Sequence, residues 1–180
     1  MSRTSLIVRS RHVAFAWLSV CLALLLTGGR ARAMPADAQP TENPCTDRGT
    51  ALLLRASAHR MWLCRAGAVD AEFEVALGAG GIGKRVKRDK KTPLGSYRVG
   101  KPRRSSRYRS FIPIGYPTAA QRRAGYSGSD IGIHGPDPMF SWEGTVDWTN
   151  GCIALKENED IDALVAWTKK WRPKQIEIVE

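Results

Sequence analysis

The chain from residue 51 onward consists mainly of short segments that are either continuously apolar or alternate between hydrophobic and polar residues. Residues 51–55 and 60–65 are two short apolar segments separated by a polar stretch, and they predict a β-hairpin, while residues 71–77 alternate as a half-buried strand does. The same pattern predicts further strands at residues 96–99, 110–114, 130–134, 152–155 and 175–179. The predicted structure is therefore mainly β.

One segment near the C-terminus has the period of an amphipathic helix instead. It follows Asn158 and stops before Pro173, with acidic residues in its first turn and lysines in its last. Its predicted buried face consists of Ile161, Leu164, Val165 and Thr168. Many short strands with one late helix predict a mainly β domain with one or two helices, a sandwich or a barrel, because a parallel sheet would need helices between successive strands.

The N-terminal segment has the features of a secretory signal. Three arginines precede an uncharged apolar run of about 14 residues, and small residues stand where signal peptidase requires them. The run is shorter than the roughly 20 residues of a membrane-spanning helix, so an uncleaved anchor is the weaker alternative. We expect residues 1–33 to be a signal peptide, residues 34–49 a flexible leader, and residues 50–180 a folded domain that acts in the periplasm without stable membrane insertion.

Cleavage of this signal changes both the charge and the cysteine count. Removing residues 1–33 lowers the formal net charge from +11 to +6, because five arginines and no acidic residue leave. Cys45, Cys64 and Cys152 remain, and an odd number of cysteines in an exported protein predicts one disulfide and one unpaired thiol. Cys45 and Cys64, 19 residues apart, are the predicted pair, with two unbonded thiols as the alternative. Cys152 is then the unpaired thiol.

Basic residues are concentrated in residues 84–109, where 12 lysines or arginines accompany a single acid, Asp89. In an exported protein this segment is either a solvated surface or a binding surface for an acidic envelope polymer, and we expect no nucleic acid partner. The glycines of residues 78–83 match a dinucleotide-binding pattern, but charged residues and a proline follow where that motif needs a helix. These glycines therefore predict a flexible turn between strands.

Cys152 and His134 are the residues that carry candidate chemistry. His134 ends a predicted strand, Cys152 begins another, and the long loop between them has no regular period. If the two strands are neighbours, the imidazole takes the thiol proton, the thiolate is the nucleophile, and the amides of Gly151 and Cys152 form an oxyanion hole. Such a thiol is expected to react with alkylating agents well below pH 8, and His134→Ala is expected to abolish this reactivity.

The same two residues have a second and a third interpretation. They are either a structural cysteine and histidine or ligands of a metal ion. A metal site is disfavoured, because the three cysteines and the two histidines of the mature chain, His59 and His134, lack paired ligand spacing. We expect neither a metal nor a cofactor.

Two motifs resemble the L,D-transpeptidase family, whose catalytic domain is of the YkuD type. Residues 133–135, Ile-His-Gly, are followed after a long loop by residues 149–153, Thr-Asn-Gly-Cys-Ile, which is similar to the family signature of His-Gly and then Ser/Thr-x-Gly-Cys. Upstream, residues 91–97, Lys-Thr-Pro-Leu-Gly-Ser-Tyr, resemble a second segment of the family. The resemblance spans roughly residues 51–180 and also agrees with an exported protein that keeps an unpaired thiol.

The resemblance implies an L,D-transpeptidase-like β-sandwich that acts on peptidoglycan stem peptides. In this reaction Cys152 attacks the carbonyl between an L-centred diamino acid and the terminal D-Ala of a tetrapeptide stem, D-Ala leaves and a thioester forms. An amine of a second stem or of an envelope protein then resolves the thioester. The alternatives are an L,D-carboxypeptidase, a hydrolase that releases a wall-linked protein, and a catalytically silent wall-binding module.

Motif position also implies a role for each site residue. The catalytic residues are Cys152, His134 as the base and Gly151 as an oxyanion donor. The substrate-binding residues are Thr149, Asn150, Gly135 and Trp148. A loop-shaping hydroxyl is the alternative for Thr149, and core packing is the alternative for Trp148. Two positions depart from the family pattern, because Asn150 and Ala154 stand where many members have His and Arg, and this puts acceptor choice and rate in question.

Overall fold

The structure, a computed structural model, describes residues 42–140 and 147–180. Within these residues nine strands form one sheet: β1 (Ala51–Arg55), β2 (Arg60–Arg65), β3 (Ala68–Ala76), β4 (Gly95–Arg98), β5 (Arg103–Ser105), β6 (Arg109–Pro113), β7 (Gly132–His134), β8 (Ile153–Leu155) and β9 (Gln175–Val179). The same residues include the helices α1 (Ala119–Arg123) and α2 (Asn158–Trp171). The mainly β class that the sequence predicts is confirmed.

The sheet has the strand order β4-β9-β1-β2-β3-β8-β7-β6-β5 and curls at β3. The first part of β3 pairs with β2, whereas its last two residues, Val75 and Ala76, pair with β8. Val99 after β4 forms a bridge with Ile114 after β6, so the segments that follow these two strands connect the two halves again. The curl therefore folds one sheet into the two-layered arrangement that the family resemblance implied.

The apolar core lies between the two halves of the curled sheet and helix α2. Alternate residues of β1 and β9 enter it: Leu52, Leu54, Ile176 and Ile178. Helix α2 buries Ile161, Leu164 and Thr168 of the predicted face, whereas Val165 is only partly buried. Its C-cap residue, Arg172, has a left-handed conformation (φ 50°). Helix α2 contacts β6 and β8, so it supports the part of the sheet in which β7 also lies.

The hydrophobic pattern does not predict two short elements. Strand β5 consists of three polar residues and pairs with β6 at the edge of the sheet, so no alternation marks it. Helix α1 begins after Thr118, whose hydroxyl accepts a hydrogen bond from the Gln121 amide while the Gln121 side chain accepts one from the Thr118 amide. This Thr-x-x-Gln capping box is a signal in the sequence that identifies the helix.

The described part of the predicted leader, residues 42–49, lies against β2. Cys45 and Cys64 form the predicted disulfide, and both residues are fully buried. The Asn43 side chain donates to the Gly67 carbonyl oxygen at 2.8 Å, which further attaches this segment to the domain. The predicted signal peptide lies outside the described residues. No helix in residues 42–140 or 147–180 is long and apolar enough to cross a membrane.

Candidate active site

Strands β7 and β8 bring the candidate nucleophile and base together. They are parallel neighbours, with Ile133 opposite Ile153 and His134 opposite Ala154. Cys152 directly precedes β8 and lies two residues before Ala154, the residue opposite His134. Because side chains two residues apart in a strand point to the same face, Cys152 and His134 share one face of the sheet. Both side chains line one cleft of about 250 Å³, which we call the thiol cleft. Strands β7 and β8 are neighbours, as transfer of a proton from the thiol to the imidazole requires.

A backbone carbonyl fixes the orientation of the His134 ring. Nδ1 lies 2.7 Å from the carbonyl oxygen of Gly135, and because a carbonyl only accepts hydrogen bonds, Nδ1 carries the proton. In the neutral ring Nε2 then has the lone pair that accepts a proton. Burial lowers the pKa of His134 below its ordinary value, against the Gly135 hydrogen bond and the charge of Asp137, so the imidazole is neutral at neutral pH.

The Cys152 thiol is partly buried and donates a hydrogen bond to the backbone. Sγ lies 3.4 Å from the carbonyl oxygen of Asp130. Burial raises the pKa of the thiol, and a hydrogen bond from the Gly132 amide and the charge of Lys84 oppose this rise. The resting group is therefore a protonated thiol at neutral pH. This differs from the sequence-based expectation that the thiol reacts with alkylating agents well below pH 8 and depends on His134 for this reactivity, because the residue pattern does not reveal the burial.

The Thr149 hydroxyl holds the turn that precedes Cys152. Oγ1 donates to the Cys152 carbonyl oxygen at 2.7 Å and accepts from the Gly151 amide at 3.0 Å. Thr149 is buried, and its backbone amide donates to the Leu77 carbonyl oxygen after β3 at 3.0 Å. Thr149 therefore shapes the loop. The Gly151 amide, expected in the oxyanion hole, must exchange its hydrogen bond to Thr149 before it can bind a substrate oxygen.

Two glycines of the sequence motifs occupy positions where a side chain has no room. Gly151 has a φ of +119°, and a Cβ there would lie 2.5 Å from the Lys91 carbonyl oxygen. A Cβ at Gly135 would lie 2.8 Å from the Tyr108 carbonyl oxygen. Both residues act through their backbone, since Gly151 shapes the turn and Gly135 supplies the carbonyl that orients His134. The contact with Lys91 also joins the two motifs in space.

Aromatic side chains form one wall of the thiol cleft. Tyr108 stacks on the His134 ring with the ring centroids 4.1 Å apart, and Trp148 meets the same ring edge-on at 5.8 Å. Phe140 stacks on Trp148 at 4.8 Å. Trp148 therefore borders the cleft, and exposed Asn150 also lines it. Sequence reasoning missed Tyr108 as a site residue, because its position beside His134 depends on the pairing of β6 with β7.

The sequence pattern also did not predict a buried carboxylate near His134. Asp137 is 4% exposed, and Arg107 donates to its Oδ2 from Nε at 3.0 Å and from Nη2 at 2.5 Å. The Arg107 hydrogen bonds hold the pKa of Asp137 below its usual range, so this ion pair stays charged at neutral pH. In the part of the chain that the structure describes, no three His, Cys, Asp or Glu side chains are grouped to hold a metal ion.

The fold and site define a class of protein: a mainly β domain that holds a cysteine and a histidine on adjacent parallel strands. A family profile described as the L,D-transpeptidase catalytic domain (YkuD) matches residues 49–177. The chain belongs to this family, whose members act on peptidoglycan stem peptides. No curated protein sequence matches the chain significantly.

Solved structures share this fold. The helical cell shape determining protein Pgp2 from Campylobacter jejuni is 23% identical with a TM-score of 0.56, and the match covers 72% of this chain and 46% of Pgp2. Bd1075 from Bdellovibrio bacteriovorus is 20% identical with a TM-score of 0.52, covering 71% and 46%. An Enterococcus faecium L,D-transpeptidase is 16% identical with a TM-score of 0.51, covering 73% and 50%. The chain thus matches about half the length of these neighbours.

Proposed function

We propose that this protein is an exported L,D-transpeptidase that acts on peptidoglycan tetrapeptide stems through a thioester on Cys152. The observation that supports this most is the parallel pairing of β7 and β8. This pairing puts His134 and Cys152 in one cleft, with the imidazole held by the Gly135 carbonyl. Family membership supports the substrate class.

In the first half-reaction, Cys152 Sγ attacks the carbonyl carbon that joins the diamino acid to the terminal D-Ala. The thiol turns from the Asp130 carbonyl, and its proton passes to His134 Nε2 as the S–C bond forms. This proton then moves to the nitrogen of D-Ala as the C–N bond breaks, and a thioester remains. The Cys152 amide binds the developing oxyanion, and the Gly151 amide joins it after leaving Thr149.

In the second half-reaction, an amine of a second stem or an envelope protein attacks the thioester carbonyl. His134 Nε2 takes a proton from the amine, and the Cys152 thiolate leaves and regains a proton. Asn150 and Trp148 are the residues we assign to substrate contact, because both border the thiol cleft. Ala154 is fully buried, with His134 opposite it on one side, so this position contributes packing.

The proposal includes export and a role in the cell wall. Residues 1–33 are the signal peptide of this proposal, and the mature protein acts in the periplasm. One structural neighbour, Pgp2, is described as a helical cell shape determining protein. We extend a role in cell shape to this chain as part of the proposal, since both share the fold of peptidoglycan-directed enzymes.

Exchange of D-alanine tests the function and separates transfer from hydrolysis. The purified protein is incubated with a disaccharide tetrapeptide and excess ¹³C-labelled D-alanine, and the stems are analysed by mass spectrometry. A transpeptidase incorporates the label, because the thioester is open to the same amine that left, and it also forms linked dimers. Free tripeptide without exchange would assign an L,D-carboxypeptidase. An unchanged stem would refute both enzymes and favour a wall-binding module.

The pH dependence of alkylation tests the assignment of nucleophile and base. Burial raises the pKa of Cys152 and lowers that of His134, so a neutral pair is the resting state across neutral pH. We expect the rate constant with iodoacetamide to rise about tenfold per pH unit from pH 7 to 8.5, as the thiolate fraction rises.

The matching variant is His134→Ala. It should lower D-Ala release by roughly 10²- to 10⁴-fold, because the leaving amine loses its proton donor, yet change alkylation little. A plateau of the alkylation rate below pH 8 that disappears in His134→Ala would instead establish a resting thiolate and imidazolium pair.

A further inference from the structure

A second cleft shares Asn150, in the turn before Cys152, with the thiol cleft. It has a volume of about 460 Å³, and we call it the basic cleft. Four basic residues line it: Lys84, Lys87, Arg88 and Lys90. Asn150 lines both the basic cleft and the thiol cleft. Asp130 also lines the basic cleft, and its carbonyl oxygen accepts a hydrogen bond from the Cys152 thiol. The basic cleft is therefore lined by a residue that contacts the sulfur and by a residue two positions before Cys152.

The basic cleft has an excess of positive charge that the protein does not neutralise. Lys84 is buried and forms an ion pair with Asp89 at 2.6 Å, so these two charges cancel. The other three basic side chains are exposed and make no ion pair within residues 42–140 and 147–180. Asp130 contributes one negative charge to the described lining, which leaves an excess of about two positive charges.

The wall that carries these charges is held in one conformation. The Asp89 carboxylate accepts hydrogen bonds from the Lys84 ammonium and from three backbone amides, those of Arg85 at 3.0 Å, Val86 at 3.1 Å and Lys91 at 3.1 Å. The opposite wall is linked to it, because the Ser127 amide donates to the Arg85 carbonyl oxygen at 2.8 Å. The backbone that carries the cations of the basic cleft is therefore held in place before any ligand binds.

The backbone of this wall is strained at two of its basic residues. Arg88 and Lys90 have positive φ values of 69° and 55°, a conformation that costs free energy for residues other than glycine. The glycine loop supports it, since the Gly80 amide donates to the Lys90 carbonyl oxygen at 2.9 Å and a Cβ at Gly78 would overlap the same oxygen. Gly78 and Gly80, two glycines of the segment that resembles a nucleotide-binding motif, thus hold the basic turn in place.

We infer that the basic cleft binds the α-carboxylate of the D-amino acid whose nitrogen leaves at Cys152. This inference rests on the proposed function. The carboxyl carbon of a terminal D-Ala is two bonds from the nitrogen that departs, so a group that binds it must adjoin the sulfur. Lysine and arginine side chains bind carboxylates through charge-assisted hydrogen bonds.

The thiol cleft is less suited to this anion. One of its walls consists of aromatic rings, and the cation in its described lining, Arg107, is already paired with Asp137. The thiol cleft therefore accepts the diamino acid side of the scissile bond, and the basic cleft accepts the leaving side. An acceptor that presents a D-centred amine beside a carboxylate enters through the same basic cleft, because it takes the place of D-Ala.

A pair of stems that differ in one group tests this inference. The values of kcat/KM are measured for a tetrapeptide ending in D-Ala and for the same stem ending in D-alaninamide. The wild-type protein is expected to prefer the carboxylate by roughly tenfold, a value reduced by the exposure of the cations. Lys87→Ala and Lys90→Ala should each lower this ratio through KM, the double variant should bring it close to one, and Lys90→Arg should retain it.

The matched control is Lys101→Ala, which removes an exposed lysine that lines a different cleft. It should keep the wild-type preference. Equal cleavage of both stems by the wild-type protein, or an unchanged ratio in the double variant, would overturn the carboxylate site and leave the proposed function intact. Absence of cleavage of both stems by the wild-type protein would overturn the proposed function and this inference with it.

Discussion

Replacing Cys152 with alanine should abolish the release of D-Ala from a tetrapeptide stem, a loss of roughly 10⁴-fold or more. The size of the effect follows from the proposed chemistry, in which the Cys152 sulfur is the atom that forms the new bond. No second nucleophile of this kind is available in the described residues, since Cys45 and Cys64 are bonded to each other. The measurement is the amount of D-Ala released per unit time, and the detection limit is expressed as a fraction of the wild-type rate.

Folding of the Cys152→Ala variant must be checked alongside its activity. Sγ contributes one long hydrogen bond to the Asp130 carbonyl from a partly exposed position, so the free energy of unfolding should change by less than about 1 kcal/mol. A folded variant that keeps more than a small fraction of the wild-type rate would show that Cys152 is not the nucleophile.

Gly151→Ala should cost several kcal/mol of stability and remove activity. The residue has a φ of +119°, which disfavours any side chain, and the added Cβ would lie 2.5 Å from the Lys91 carbonyl oxygen. Two effects lower the free energy of unfolding: backbone strain of about 1 to 3 kcal/mol, and displacement of the sequence motif that begins at Lys91. The turn that sets the position of Cys152 would have to move, so the loss of activity should exceed what the loss of stability explains.

Gly81→Ala is the matched control for that substitution. Gly81 also has a positive φ, +83°, but a Cβ there would meet nothing within 4 Å. Its cost should be about 1 to 2 kcal/mol, the cost of the left-handed conformation alone, and activity should persist. Both values come from denaturant unfolding of the purified variants. Equal costs at the two positions would mean that the close approach of Lys91 has no energetic weight.

The strands and the late helix could be predicted because their side-chain pattern matches their burial. Leu52 and Leu54 alternate with a residue on the other face, and Ile161 and Leu164 share one helical face. Strand β5 could not be predicted, because its residues are polar and its pairing with β6 is a long-range property of the sheet edge. Helix α1 was within reach, since its capping box is a local signal.

The candidate site, like the fold, was predictable only in part. His134 and Cys152 could be identified by residue type and motif, and their shared cleft follows from the pairing of β7 with β8. Three features depend on contacts between segments distant in the sequence: the burial that raises the pKa of Cys152, the stacking of Tyr108, and the ion pair of Arg107. No local pattern of residues specifies these contacts.

The basic segment shows why composition alone was insufficient. Residues 84–109 contain 12 basic residues, and composition left a solvated surface and a polymer-binding surface as alternatives. Lys84 is buried against Asp89, and Arg109 pairs with Asp162, so part of this charge serves the fold. The exposed cations of the basic cleft are the part that we assign to a substrate carboxylate.

The most direct test of the central claim is the mass of the protein during turnover. Wild-type protein and Cys152→Ala are mixed with the disaccharide tetrapeptide, quenched in acid and analysed intact and after proteolysis. The thioester mechanism predicts a gain equal to the stem without D-Ala, located on the peptide that contains Cys152, sensitive to hydroxylamine and absent from the variant. Release of D-Ala without this adduct, or an adduct on another residue, would contradict the account.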